Sequence, residues 1–308
     1  MLSVIVVDYN SIEKTLSYIK DLSGKMTAPG DIHYIIVDNY SEIADLETKA
    51  DTLKLTGTDE FEGKKVKTYA SQEESSVTYI AAGDNLGYAK GNNLGMRLSS
   101  KLFGDDYYLI SNNDIEIPES FDFSIIKKKF DNITSIAVIG PKVVGTDGKP
   151  QSPNKKPSAF GNLVATYLSM ATHDKFFKWD DVDYTDESKL CYRIMGSFMF
   201  LRASAMKEVG MFDENTFMFA EEMILSERMI RHGYLTYFFN DLTVIHAHGE
   251  TIDKLADRSD PVKWSHDSVS YYFKKYRNTG GAMLLLGNIT CNLYIKLYKL
   301  KKKSRIRK

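Results

Sequence analysis

Tyr108-Leu109-Ile110-Ser111 is a short apolar run that ends abruptly in Asn112-Asn113-Asp114. Runs of that length, bounded by polar turn formers, are buried strands. Two amides and a carboxylate therefore fall at a strand's C-terminal edge, the edge where open α/β sheets bind ligands. A carboxylate beside an anionic nucleotide suits Mg2+ or Mn2+, which prefer oxygen ligands. Asp8-Tyr9-Asn10 and Asp38-Asn39 also follow apolar runs. Their carboxylates and amides would line the same edge and hydrogen-bond a base and ribose. Asn85-Leu86-Gly87 through Gly91-Asn92-Asn93 is a glycine-punctuated turn entering a helix. Backbone N–H groups there favour phosphate, and glycine permits close approach. Glu221-Glu222 opens a helix. Adjacent helical residues point about 100° apart, so one carboxylate can face a cleft while the other braces the fold. The positive end of the helix dipole keeps a carboxylate ionised, which suits a general base. His246 and His248 follow an apolar strand, where imidazole suits a transition metal beside Asp114.

Each feature also has a plain structural reading. Asn-Asp pairs are turn formers, acidic residues favour a first helical turn, and a strand-end histidine can simply be hydrogen-bonded. Tyr271, Tyr272, Tyr276, Arg277 and the Met/Phe cluster at 217–219 read as packing.

The elements that must position these groups alternate. Strand 2–7, a helix over 11–22 (Ile12, Leu16, Ile19, Leu22) and strand 32–37 form a right-handed βαβ unit. Residues 42–76 are highly charged, predicting a helix near 42–55 and then a mobile loop. A strand at 77–81 leads to the glycine-punctuated turn, with a helix from about Gly91. The central strand 107–111, a helix over 121–130 and a strand at 136–139 follow. Residues 145–162 form a Gly/Pro/Lys/Ser-rich loop of the kind that serves as a lid or binding loop. Trp179 and Asp180-Asp181 are placed in an exposed turn. Gly196–Leu201 is a strand, Met206–Val209 the end of a short helix, and Glu221–His232 a helix. Leu235–Phe239 and Leu242–His246 are two short strands. A helical tail begins near Pro261 and becomes rich in lysine and arginine.

The 308 residues carry a net charge of -1 and are 43% hydrophobic. That balance predicts a soluble protein with a sizeable core, not a general nucleic-acid binder. Two distant cysteines, Cys191 and Cys291, predict neither a disulfide framework nor a cysteine-based zinc site, and point to a reducing cytoplasm. The N-terminus lacks the pattern of a secretory signal, and no stretch is apolar enough for a membrane span.

In order along residues 1–251, these stretches resemble the family-two nucleotide-sugar glycosyltransferases of GT-A fold, most closely their rhamnosyltransferase-like branch. The resemblance rests on Val-Val-Asp-Tyr-Asn at 6–10, Val-Asp-Asn-Tyr-Ser at 37–41, Asn-Leu-Gly-Tyr-Ala-Lys-Gly-Asn-Asn at 85–93 and Ser-Asn-Asn-Asp at 111–114. It continues through Gly-Ser-Phe-Met-Phe-Leu-Arg at 196–202, Gly-Met-Phe-Asp-Glu at 210–214, Phe-Met-Phe-Ala-Glu-Glu at 217–222, Arg228, Gly233-Tyr234, His246, Gly249 and Thr251. It implies that Asn112-Asn113-Asp114 is the DxD-type metal motif, with Asp114 and His246 as ligands of Mn2+ or Mg2+. Asp8, Tyr9, Asn10, Asp38, Asn39, Asn85, Gly87, Lys90, Asn93, Asn112 and Asn113 become the nucleotide-sugar contacts. Glu222 becomes the general base, with Glu221 beside it. Two departures stand out: Glu222 replaces the family's aspartate, and Ile224 replaces a downstream carboxylate.

The expectation is an α/β protein with a mixed, Rossmann-like central sheet and helices on both faces. Residues 1–260 form the GT-A domain, with 1–114 the nucleotide-binding half and 115–260 the acceptor-binding half; 261–308 form a basic helical extension. The expected activity is inverting transfer of a sugar to a saccharide or lipid-linked acceptor in bacterial surface polysaccharide synthesis. dTDP-rhamnose is the first donor to consider and another nucleotide hexose the second. The expected location is cytoplasmic, at the inner face of a membrane whose anionic surface meets the basic C-terminus. The rivals are a catalytically silent binding or scaffold subunit and a nucleotidyltransferase.

Overall fold

The computed structural model describes residues 1–28, 30–40, 53–70, 76–172, 175, 178–247 and 259–306. Four strands are parallel neighbours in the centre of one sheet: β1 (Leu2–Asp8), β3 (Ile32–Asp38), β6 (Ser76–Ala81) and β7 (Tyr107–Ser111). Their near-continuous apolar runs are what strands buried on both faces require. On one face, α1 (Ile12–Lys25) and α3 (Phe123–Asn132) bury Ile12, Ile19, Leu22, Ile126 and Phe130. On the other, α2 (Gly87–Leu102), the short α5 (Ala203–Glu208) and α6 (Glu221–Arg231) bury Leu94, Met96, Leu98, Met206, Leu225 and Met229. The mixed sheet with helices on both faces is the expected architecture. A separate pair, β2 (Met26–Thr27) and β9 (Phe121–Asp122), ties the end of α1 to the start of α3.

Beyond β7 the direction reverses. Strand β12 (Phe198–Arg202) is antiparallel to β7, and β10 (Ile136–Gly145) is antiparallel to β12. Strand β13 (Leu235–His246) runs parallel to β10, and β11 (Lys189–Cys191) closes that edge. The two short strands expected at 235–246 are one strand. A register shift opposite Pro141/Lys142 absorbs Asn240, Asp241 and Leu242, and the polarity of the first two breaks the apolar run.

The charged segment departs most from expectation. Its helix near 42–55 lies mainly outside the described residues, but Lys54 and Leu55 belong to β4 (Lys54–Phe61). The expected loop is the hairpin of β4 and β5 (Lys64–Ala70), turned by Glu62-Gly63 with both residues at positive φ. That backbone matches the twist of a two-residue hairpin. Strand β5 pairs with β6, and only Val66 and Tyr69 of its side chains are buried. Edge strands carry charge against further pairing, and that charge conceals the period-two pattern.

Trp179 is not in an exposed turn. Its ring covers Gly161 in a π-helical turn (Gly161–Ala165) that leads into α4 (Thr166–Thr172). Asp181 is paired with Arg193 at 2.5 Å. The C-terminal extension forms α7 (Ser259–Lys275) and α8 (Gly281–Ile306). These helices pack on the π turn and the start of α6 through Leu163, Ala220, Met223, Ile224, Val269 and Phe273.

Candidate active site

The ends of β1, β3, β6 and β7 bring Asp8, Asp38, Asn85 and Asn112-Asn113-Asp114 to one edge, but not in equivalent roles. Asp8 is fully buried. Its Oδ1 accepts from Ser11 Oγ at 2.8 Å, Thr15 Oγ1 at 2.5 Å and Asn113 Nδ2 at 3.3 Å, and its Oδ2 from the Ser11 N–H at 3.2 Å. Asn113 also donates to Ser11 and Thr15. The expected donor contacts at Asp8 and Asn113 therefore fasten the loop after β7 to the first turn of α1. Unsatisfied helix-start donors demand such acceptors.

Asn39 is buried and hydrogen-bonded within the fold in the same way. It donates to Asn85 Oδ1 at 3.0 Å and accepts the Leu86 N–H at 2.7 Å, fixing the approach to α2. That helix begins at Gly87, a turn earlier than expected. Gly87 has φ +72°, and a Cβ there would collide with the Phe217 carbonyl, which accepts the Tyr88 N–H at 3.0 Å. Its own N–H donates to Asn85 Oδ1 at 3.1 Å. Gly87 thus packs the 217 loop onto α2. Asn93 is buried and clasps the Phe212 backbone, donating to its carbonyl at 3.0 Å and accepting its N–H at 3.1 Å.

The groups left facing outward are Tyr9, Asn10, Tyr40, Asn85 and Lys90, all exposed. Asp38 is buried beneath them. Tyr79 Oη donates to its Oδ2, while Oδ1 has no hydrogen-bond partner. Burial and Asp38 together hold the Tyr79 hydroxyl far above its ordinary pKa, so it remains a donor.

Asp114 and His246 meet because β13 returns beside β8 (Ile115–Glu116), with His246 opposite Ile115. His246 Nε2 lies 3.4 Å from Asp114 Oδ1. That oxygen is buried without a hydrogen-bond partner. His246 Nδ1 lies 3.0 Å from Gln151 Oε1. With Gln151 as acceptor, Nδ1 carries the proton and Nε2 presents a lone pair toward the carboxylate. Two acceptors face each other, an arrangement that favours a cation between them. Among the described residues no group of three or more His, Cys, Asp or Glu could hold a metal. Among the described residues Asp114 and His246 are thus a pair of candidate ligands, a number that suits Mg2+ or Mn2+, which keep positions for water and phosphate. His248 lies outside the described residues. Gln151 escaped sequence reading, because nothing local marks it within a Gly/Pro/Lys/Ser-rich loop.

The Asn112 N–H donates to the Ser197 carbonyl at 2.9 Å, joining the end of β7 to the turn before β12. In that turn the Gly196 N–H donates to Glu222 Oε1 at 2.9 Å, and Tyr88 Oη donates to the Gly196 carbonyl at 2.7 Å. A Cβ at 196 would stand 2.5 Å from Glu222 Oε1. Tyr88 and Gly196 are thus parts of the site that sequence reasoning passed over. Glu222 is half-buried, while Glu221 is buried with Oε1 unpartnered. Burial, with the neighbouring Glu222 adding to it, pushes the Glu221 pKa well above the carboxylate range. The same burial and the two glutamates raise Tyr88. Phe219 and Ala220, at φ +72° and +64°, bend the chain into the helix. Non-glycine residues with that backbone are strained and cluster at functional sites. Ile224 is fully buried among the C-terminal helices, so a carboxylate there would have no water.

No protein-family model matches the chain. Over 233 residues, 75% of this chain and 62% of the relative, it is 26% identical to the low-salt glycan biosynthesis hexosyltransferase Agl10 of Haloferax volcanii. The matched region thus spans less than two thirds of that protein. Over 227 residues, 68% of this chain and 71% of the relative, it is 24% identical to the N-acetylglucosaminyl-diphospho-decaprenol L-rhamnosyltransferase of Mycobacterium tuberculosis. In fold it is similar to the mannosyltransferase PcManGT of Pyrobaculum calidifontis, solved with GDP-Man and Mn2+. The TM-score is 0.55 over 96% of this chain and 69% of that one, at 14% identity. Together with the ordered motifs, these likenesses make the chain similar to glycosyltransferases in sequence, with a mixed α/β fold of the GT-A kind.

Proposed function

We propose that the protein transfers a hexose from a nucleotide-sugar donor to a saccharide or lipid-linked acceptor, with inversion, in cell-surface glycan synthesis. The observation that carries this reading is the Asp114–His246 pair: a partnerless buried carboxylate oxygen faces a ring nitrogen at the end of the sheet. Asp114 and His246 would hold Mn2+ or Mg2+, which when bound neutralises charge on the leaving diphosphate. Asp38 Oδ1 is the acceptor for a base or ribose donor, with Tyr9, Asn10, Tyr40, Asn85 and Lys90 around it. Glu222 is the base. It takes the proton of the acceptor hydroxyl as that oxygen bonds to the anomeric carbon and the bond from that carbon to the diphosphate oxygen breaks. The Gly196 N–H fixes one Glu222 oxygen, and Tyr88 fixes Gly196. Glu221, holding its proton beyond the ordinary carboxylate range, is unsuited to that step and braces the helix start. dTDP-rhamnose is the first donor to try. The reading extends to an anionic membrane, at its inner face, as partner of the basic C-terminus.

The test is release of nucleoside diphosphate from a panel of nucleotide sugars without acceptor. Slow release that needs Mn2+ or Mg2+ and stops with chelator is expected for one donor. No release and no thermal shift with any donor would favour a silent scaffold.

A further inference from the structure

Helix α8 has two unlike faces. Gly287 lies against Leu163, Thr290 Oγ1 donates to the Leu163 carbonyl at 3.0 Å, Cys291 is buried, and the Tyr294 ring lies 6.1 Å from that of Tyr167. This face holds α8 on the π turn and α4. Leu285, Leu286, Ile289, Leu293, Leu297 and Leu300 point the other way and are 41–60% exposed. Steps of four, four, four and three from Leu285 keep them in one row, an arc of about 120° at 3.6 residues per turn. Six large aliphatic side chains in one exposed row exceed the scattered apolar residues of an ordinary surface.

Charge decides what covers them. Residues 281–308 contain Lys296, Lys299, Lys301, Lys302, Lys303, Arg305, Arg307 and Lys308 and no Asp or Glu. A second copy of the helix would bring the same positive charge, whereas an anionic lipid surface complements both the row and its basic end. No helix of the described residues is long and apolar enough to cross a membrane. We infer that α8 lies in the plane of an anionic lipid–water interface with the Leu285–Leu300 row sunk among the acyl chains and the lysines at the headgroups. This rests on the membrane partner named above and replaces tail electrostatics with a defined inserted face. The start of α8 also reaches the site. Met283 and Leu284 pack on the cluster that contains Ala220, Met223 and Ile224, which flank Glu221 and Glu222. An interface-bound α8 therefore holds the proposed base close to a lipid-linked acceptor.

The experiment is flotation of the full chain with vesicles of phosphatidylglycerol and phosphatidylcholine in equal parts, and of phosphatidylcholine alone, at low salt and at about 0.5 M salt, where exposed charges are largely screened. The chain should float with the anionic vesicles and keep a bound fraction at high salt, because an inserted apolar row is not screened. The triple variant Ile289→Gln, Leu293→Gln, Leu297→Gln alters only exposed side chains. Its partition should fall by about 100-fold, with unchanged melting temperature and donor thermal shift. In a Leu293→Trp variant, emission should shift to the blue on adding anionic vesicles. If the triple variant floats as well as the parent and all binding vanishes at high salt, the basic end binds alone and the row is not the docking face. If the parent floats with no vesicle, the membrane partner itself fails. A dimer abolished by the triple variant would assign the row to a second copy and overturn the inference.

Discussion

Exchanging each glutamate of the pair for glutamine separates a base from a brace. In Glu222→Gln the amide oxygen can still accept the Gly196 N–H, now 2.9 Å from Glu222 Oε1, so that hydrogen bond, worth about 1 kcal/mol, survives. What is lost is the ability to take a proton. Removing a positioned base costs about 10²–10⁴-fold in rate, or about 3–5 kcal/mol of barrier. Glu222→Gln should therefore lose turnover while donor affinity and melting temperature stay near the parent's. Glu221→Gln acts on stability, and the sign follows from its raised pKa. Below about pH 4.5, its ordinary value, folded and unfolded chains both hold the proton, and the stability from keeping a neutral carboxyl buried is fully present. As pH rises the unfolded chain releases that proton while the folded chain retains it, so this stability is lost progressively up to the raised folded value. Glu221→Gln removes that dependence and should melt above the parent by a margin that grows as pH rises above about 4.5. The assays are steady-state transfer, donor affinity and melting curves across pH. A near-parental rate for Glu222→Gln beside a dead but folded Glu221→Gln would reverse the assignment. Normal turnover in both would place the base elsewhere.

Three further outcomes follow from the geometry. Asp114→Asn should weaken metal-dependent donor binding with the fold intact; unchanged Mn2+ binding, followed by electron paramagnetic resonance with donor present, would remove Asp114 from the metal site. Gln151→Leu leaves His246 Nδ1 without its acceptor and frees the ring to place its proton on Nε2, toward Asp114. Metal affinity should fall about 10–100-fold, and 15N shifts of His246 should report the tautomer change; an unaltered tautomer would refute this role. Asp213 accepts from Tyr276 at 2.6 Å and Tyr271 at 2.8 Å, with Lys275 at 3.2 Å. Its burial raises the pKa, but the hydrogen bonds from Tyr276, Asn215 and Tyr271 outweigh it and hold the carboxyl below its ordinary range. That stability is present above about pH 4 and is lost as pH falls toward the folded value. Asp213→Asn should destabilise by about 3 kcal/mol at pH 7 and by less in acid; a melting temperature within a degree of the parent's would count against the anchor.

The parallel strands were legible because burial on both faces leaves uninterrupted apolar runs, as in Leu2–Val7 and Tyr107–Ile110. The β4–β5 hairpin was not, because an edge strand is solvated and its sequence resembles a charged loop. The strand ends announced the site, but residue type could not say which amides face outward. Asp8, Asn39, Asn93 and Asn113 are buried or half-buried and hydrogen-bond backbone and neighbouring side chains, whereas Asn10 and Asn85 are exposed, and only the tertiary arrangement separates the two sets. Asp114 and His246 are 132 positions apart, and no periodicity connects them. Their meeting depends on the short β8–β13 pairing. Gln151 carries no local signal, because orienting another side chain through one hydrogen bond can be done by many residue types; Gly196 stood within a matched stretch, but the need for a residue without a Cβ beside Glu222 shows only in the fold.

The same contacts explain why the chain after 259 belongs to the site's frame. Phe219 and Ala220 hold a backbone that non-glycine residues adopt at a cost of about 1–3 kcal/mol each. Nothing local repays this, since neither residue is a glycine and Ala220 provides no side-chain cap for α6. The opposing force comes from around them. Ala220, Met223 and Ile224 are packed under Val269, Tyr272 and Phe273 of α7, and Ser268 Oγ donates to the Met218 carbonyl at 2.8 Å. From the other side, Asp213 takes Tyr271 and Tyr276, while Asn93 clasps Phe212, so α2, the 210–216 turn and α7 form one braced unit. The start of α6 is therefore set by helices on both sides of it. The side chain it presents, Glu222, reaches the Gly196-Ser197 turn, whose Ser197 carbonyl receives the Asn112 N–H two residues before Asp114. Loosening α7 should shift Glu222 relative to Asp114 without touching either residue. Transfer should therefore be more sensitive than donor binding to substitutions at the Asp213 anchor.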